Sequence, residues 1–170
     1  MRRVAVVGSG GAGKSTFARR LGASTGLPVI HLDELYWRPG WVATPDDEWR
    51  EIVTELAAGP EWIIDGNYSR TMDLRAQAAD TVLLLDYAPI GNLARALRRT
   101  IFNHGRAIQA PGCPEHLDWE FLRWIATYRR RSRPRVLAQL EAAAPDLDVR
   151  VLRHPRDAQR FLESVTEAAD

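Results

Sequence analysis

Five short, predominantly apolar runs recur along the chain, at Val4–Val7, Val29–Leu32, Trp62–Ile64, Thr81–Leu85 and Val149–Leu152. Bulky and β-branched side chains dominate them, the pattern of strands covered by helices on both faces. Between them the apolar spacing changes to the period of amphipathic helices. It predicts helices near Lys14–Ala23, Asp46–Ala58, Met72–Ala78, Ile90–Phe102, Leu117–Arg130, Pro134–Ala144 and Ala158–Ala168. Alternation of the two patterns predicts parallel βαβ units. Thr44-Pro45-Asp46-Asp47-Glu48 reads as a helix start, with a Thr cap, Pro in the first turn and acids on the positive dipole end. The stretch His104–His116 breaks the alternation with Gly105, Pro111, Gly112 and Pro114, as a functional or mobile loop does.

Composition narrows the class. The 170 residues are 45% hydrophobic and 26% charged, which fits one globular domain and excludes disordered, collagen-like and coiled-coil chains. No apolar run approaches the ~20 residues of a membrane span, and nothing at the start reads as a secretory signal. Cys113 is the single cysteine, so no internal disulfide is expected and a reducing, cytoplasmic setting is. The net charge of +1 hides an asymmetry: Arg95 to Arg135 holds ten arginines against Glu115, Asp118 and Glu120. Such a stretch expects a polyanion, either nucleic acid or a phosphorylated small molecule.

Only one of the 23 basic residues is a lysine, Lys14. It lies in Gly8-Ser9-Gly10-Gly11-Ala12-Gly13-Lys14-Ser15-Thr16, directly after the first strand and before the first helix. This is the G-x-x-x-x-G-K-[ST] pattern in its proper context. Glycines let the loop curl so that successive N–H groups meet on phosphate oxygens, and the helix adds its positive end. Lys14 is expected on the β- and γ-phosphates of ATP, and the Ser15 hydroxyl on Mg²⁺.

Ligands in open α/β sheets bind at the carboxyl ends of strands. Three candidate strands end in aspartate. Asp33 is either a general base toward a substrate hydroxyl or a cap or surface acid. Asp65, before Gly66 and Asn67, either holds Mg²⁺ through water or caps the following turn. Asp86 is expected to end its strand and cap a helix. Tyr36, Trp37 and Trp41 either stack on a base or sugar or form a small hydrophobic cluster.

Arg95 and Arg99 share one face of a predicted helix, with Arg98 beside them, and Arg129, Arg130, Arg131 and Arg133 follow the irregular loop. Guanidinium groups around a mobile loop suit a lid that neutralises a migrating phosphoryl group; a solvated basic face is the plainer alternative. Cys113 and His116, with His104 upstream, have zinc-knuckle spacing, but four good ligands are not visible and a loop thiol is the expectation.

Taken together, these features resemble the adenylate-kinase-like P-loop kinases and, among them, the topology modulation proteins. The stretches that carry the resemblance are His31–Trp41, Trp62–Tyr68 with Thr71 and Arg75, and Gly112–Glu115 with Asp118 and Glu120–Trp124. The resemblance extends to about Leu140. It implies a three-layer α/β fold with a five-stranded parallel sheet flanked by helices, a flap near 34–60 and a helical lid near 104–120. Asp65–Thr71 resembles the acceptor-binding segment of nucleoside-monophosphate kinases with one residue more, implying Arg70, or in its place Arg75, as a substrate ligand. Arg95 and Arg99 match the lid-helix arginines of those enzymes, whereas Asp33 is closer to shikimate and uridine kinases.

The expected function is phosphoryl transfer from ATP to a small polar acceptor, by a monomer or homodimer. Lys14, Asp33, Arg95, Arg99 and Arg131 are the expected catalytic residues. Gly8–Thr16 would hold ATP, and Ser15 with Asp65 would hold Mg²⁺. Asp33, Tyr36, Trp37, Asn67, Arg70 and Arg75 would bind the acceptor. The alternative is an NTP-dependent switch or nucleic-acid-binding protein using Arg129–Arg135. A motor-type ATPase reading of Val29–Glu34 is set aside because the chain is too short for the usual extra subdomains.

Overall fold

The computed structural model describes residues 1–144 and 147–167. Five strands form one parallel sheet: β1 (Arg3–Gly8), β2 (Val29–His31), β5 (Trp62–Asp65), β6 (Thr81–Leu85) and β7 (Asp148–Leu152), in the order β2-β5-β1-β6-β7. Alternate side chains of β1 divide between the two faces. Val4 and Val6 pack with Phe17, Leu21, Phe161 and Leu162 on one side. Ala5 and Val7 pack with Trp49, Val53, Met72 and Leu140 on the other. Both faces of the central strands β1, β5 and β6 are therefore dry, which is why these read as continuous apolar runs, whereas edge strand β7 keeps Asp148 and Arg150 exposed. The first face is covered by α1 (Lys14–Thr25) and α8 (Pro155–Glu167). The second lies under α3 (Asp46–Ala57), α4 (Met72–Ala78) and α7 (Arg133–Ala143). Two further helices, α5 (Pro89–Phe102) and α6 (Trp119–Arg131), stand together beyond the carboxyl ends of the strands. The expected end of the last helix, Ala168, lies outside the described residues.

All five expected strands and seven expected helices form, with boundaries displaced by up to three residues. The structure adds a short helix α2 (Leu32–Tyr36) and an antiparallel ribbon of β3 (Trp37–Arg38) and β4 (Val42–Ala43). The second strand consequently ends at His31, and Asp33 sits in the first turn of α2. Thr44 does not cap α3: its hydroxyl donates to the Tyr36 carbonyl at 2.7 Å, tying the ribbon to α2, and Pro45 occupies the cap position. Asp118 does cap α6, accepting from the Glu120 and Phe121 N–H groups at 2.8 and 3.1 Å.

Candidate active site

The carboxyl ends of β1, β2 and β5 open beneath α5 and α6 into a cavity of about 790 Å³. Its floor is the loop between β1 and α1. Gly13 caps α1 with φ +84°, a conformation natural to glycine. Gly11, at φ +68°, passes so close to the Asn92 carbonyl of α5 that a Cβ there would collide with it. Within Gly10–Thr16 only the Ala12 N–H meets a protein acceptor, the Ser9 carbonyl at 3.3 Å. The remaining N–H groups of this turn have no protein acceptor among the described residues, the disposition of an anion cradle at a helix start. Lys14 and Ser15 line the cavity, and Lys14 Nζ donates to the Ser9 carbonyl at 3.1 Å.

β2 and β5 are paired with His31 opposite Asp65. That register brings His31 Nδ1 to 2.9 Å from Asp65 Oδ2. The bond to Asp65 raises the pKa of His31, against the opposing effect of burial. His31 lines the cavity, while Asp65 is buried behind it with Oδ1 unpartnered. Asp33 lines the cavity too, and its Oδ1 accepts the Tyr68 hydroxyl at 2.6 Å. Burial, reinforced by the Asp33 charge, pushes the Tyr68 phenol far up, so it stays a donor. The bond leaves Asp33 Oδ2 free for another partner.

The expected residues divide. Gly10, Gly11, Gly13, Lys14, Ser15, Thr16, Asp33, Trp37, Asn67, Arg95 and Arg99 line one cavity. Arg95 braces the glycine loop, donating from Nε to the Gly11 carbonyl at 2.7 Å. Arg99 lies 3.5 Å from Glu115. Gly8, Ser9, Ala12 and Asp65 are buried and do not line it, and four others lie elsewhere. Tyr36 is packed edge-on against Trp37 and Trp49, fixing the ribbon. Arg70 is exposed and paired with Asp46. Arg75 is fully buried and donates to the Gly66 and Tyr68 carbonyls at 2.8 and 3.0 Å, bracing the turn after β5; burial brings its guanidinium down to about 10. Arg131 is exposed at the end of α6, outside the cavity. Its neighbours Arg129 and Arg133 converge on buried Asp86 at 3.2 and 2.8 Å. Asp86 is thus an anchor for α6 and α7 rather than a helix cap, and its one negative charge is shared between two arginines of the basic stretch.

The loop 103–118 roofs the cavity by docking on the ribbon. The Gly40 N–H donates to the Gly112 carbonyl at 2.9 Å, and Trp41 Nε1 to the Pro114 carbonyl at 2.9 Å. Cys113 is buried, its thiol 3.2 Å from the Arg38 carbonyl. Among the described residues no three His, Cys, Asp or Glu side chains gather as a metal site, and His116 instead meets the Trp41 ring. The sequence alone suggested no site role for His31, Glu34, Arg19, Trp124 or buried Glu115, all of which line the cavity. For His31 a signal existed: it is the last residue of a strand, two before Asp33.

No protein-family model matches the sequence, and no curated protein does. Solved structures do. A sugar kinase from a Janibacter species is similar over 99% of this chain and 92% of its own, at 22% identity and a TM-score of 0.53. Shikimate kinase from Bacteroides thetaiotaomicron is similar over 98% and 97%, at 16% identity and a TM-score of 0.62. Shikimate kinase from Acinetobacter baumannii, solved with shikimate bound, is similar over 99% and 92%, at 16% identity and a TM-score of 0.60. The fold is therefore the shikimate-kinase-like P-loop fold, a parallel sheet flanked by helices. At these identities the likeness extends to the fold alone, and it does not reach the finer topology modulation group.

Proposed function

We propose that the chain is an ATP-dependent phosphotransferase that moves the γ-phosphoryl group to the hydroxyl of a small polar acceptor. One observation carries this reading: the uncommitted N–H groups of the glycine loop, Lys14 and Asp33 open into the same cavity. The loop amides and Lys14 hold the triphosphate, and Arg95 and Arg99 face its outer end. Asp33 Oδ2 takes the proton of the acceptor hydroxyl as its oxygen bonds to the γ-phosphorus. The bond from that phosphorus to the bridging oxygen breaks, and ADP carries the electron pair away. The roof excludes water, which otherwise competes as acceptor.

Mg²⁺ would draw charge off the β- and γ-oxygens. The residues present fit it: Ser15 offers a hydroxyl in the cavity, and the orphaned buried Oδ1 of Asp65 suits a metal-bound water. His31 holds the other Asp65 oxygen and so fixes the carboxylate.

Lys14→Ala should lower acceptor-dependent ADP formation roughly 10²- to 10³-fold, with a thermal midpoint within about 2 °C of the parent. Parental turnover in that variant would refute the assignment.

A further inference from the structure

The charged groups of the cavity are not evenly spread. Lys14 is on the Ser9 carbonyl, Arg95 on the Gly11 carbonyl and Arg99 beside Glu115, so three cations gather at the phosphate loop and the helix above it. The opposite end is built by α2, the β3–β4 ribbon and the turn after β5. It presents the carboxylates of Asp33 and Glu34, the amide of Asn67 and the indoles of Trp37 and Trp41, with Trp124 of α6 also on the cavity wall. Arg19 lines the same cavity. It is exposed on α1, and His31, which also lines the cavity, is held by Asp65.

Two further arginines lie in the chain beside this end, and neither enters it. Arg75 spends its guanidinium on two buried carbonyls, and Arg70 is paired with Asp46 outside. A carboxylate or phosphate placed there would meet Asp33 and Glu34 against Arg19 alone, since His31 is already held by Asp65, and this excess of like charge disfavours anions. Trp37 and Trp41 meet edge to face with centroids 5.5 Å apart. The Trp41 N–H is already bound by Pro114, so what the indoles offer a ligand is their ring surfaces. Such surfaces take the apolar face of a sugar or base, and they attract an ammonium group.

We infer that the acceptor, on the kinase reading above, is a hydroxylated ring compound without an anionic group, either neutral or amine-bearing, such as a sugar, aminosugar or nucleoside. Asp33 receives its hydroxyl, Glu34 and the indoles favour an amine where one is present, and the anionic acids and monophosphates of the same rings are refused. The acceptor class thus departs from the carboxylate-bearing shikimate that one structural neighbour holds.

Matched probes test this: glucosamine, glucose, gluconate and glucose 6-phosphate form one series, adenosine and AMP another. ADP release by the full chain with Mg·ATP is read for each, and binding of a fluorescent ATP analogue is read separately. Acceleration at least tenfold over the water background by glucosamine, glucose or adenosine, with gluconate, glucose 6-phosphate and AMP at background, is the expected result. For an amine-bearing acceptor, Glu34→Gln should raise KM about tenfold and leave kcat within twofold, while KM for its neutral counterpart stays within twofold. Turnover led by an anionic member, or none by any member while the ATP analogue binds, overturns the acceptor inference alone. Failure of the analogue to bind overturns the kinase reading beneath it.

Discussion

Asp33 shows how much of a residue's chemistry is set by its neighbours. A carboxylate on the first turn of a five-residue helix would ordinarily be a solvated acid. Here one oxygen is occupied by the Tyr68 hydroxyl, whose ring is wedged against Tyr36 and Trp49, so the carboxylate is held in one orientation. On the proposed reading Tyr68 acts through Asp33, as a positioning residue. Tyr68→Phe keeps the ring packing and removes the donor, so kcat should fall about tenfold with KM for ATP unchanged, a split that general loss of structure would not give. Steady-state kinetics at varied ATP checks it. None of this was legible in the sequence. Asp33 and Tyr68 are 35 positions apart, and only the pairing of β2 with β5 brings them together. Arg75 teaches the converse. Its place in a motif implied a ligand, whereas the Gly66 and Tyr68 carbonyls of the turn after β5 claimed it first.

At the scale of elements, the roof and the helical pair above the cavity carry separate consequences. The loop 103–118 reads in the sequence as irregular. It is nonetheless held on the ribbon by two main-chain carbonyls and the buried Cys113 thiol. Alkylation of Cys113 therefore requires the roof to lift. A non-hydrolysable ATP analogue with Mg²⁺ should slow modification about tenfold or more, because ligands that prefer the closed form draw population into it; mass spectrometry of the single adduct follows it. Asp86 fixes α6 and α7 through Arg129 and Arg133, and it is 2% exposed. Asp86→Ala leaves two guanidiniums without their acceptor and should cost roughly 2–3 kcal/mol in urea unfolding. The partial exposure of both arginines keeps the figure below that of a fully buried pair. A change under 0.5 kcal/mol would show that α6 and α7 are held by packing alone.

For the whole molecule, the parallel sheet closes its first strand against the rest through Asp80. Its carboxylate accepts the Arg2 and Arg3 N–H groups at 2.6 and 2.9 Å and the Thr81 hydroxyl at 2.8 Å. Burial pushes its pKa up, but these donors together bring it below the ordinary carboxylate value. A carboxyl whose folded pKa is depressed contributes stability above its unfolded pKa of about 3.9 and loses it as pH falls through the lower folded value. Urea midpoints measured from pH 5.5 down to 2.5 should therefore fall less steeply for Asp80→Asn than for the parent. Among the described residues no helix is long and apolar enough to cross a membrane.

The sequence by itself determined the main strands and helices and the glycine-rich turn between the first of each, because all are local. Apolar runs of the right length, glycines where φ must be positive and a lysine before Ser-Thr act through neighbouring residues only. The strand-end rule likewise put Asp65 at the end of β5 and Asp33 just beyond the end of β2. Tertiary structure alone decided which side chains share the cavity. Strand pairing put His31 in front of Asp65, and the ribbon drew Tyr36 into a packed cluster. Buried carbonyls and carboxylates captured the arginines nearest to them. Guanidinium groups are long and multidentate, and a polar group buried without a partner is costly. Where an arginine ends is therefore settled by which acceptors the fold leaves unsatisfied, something no spacing along the chain encodes.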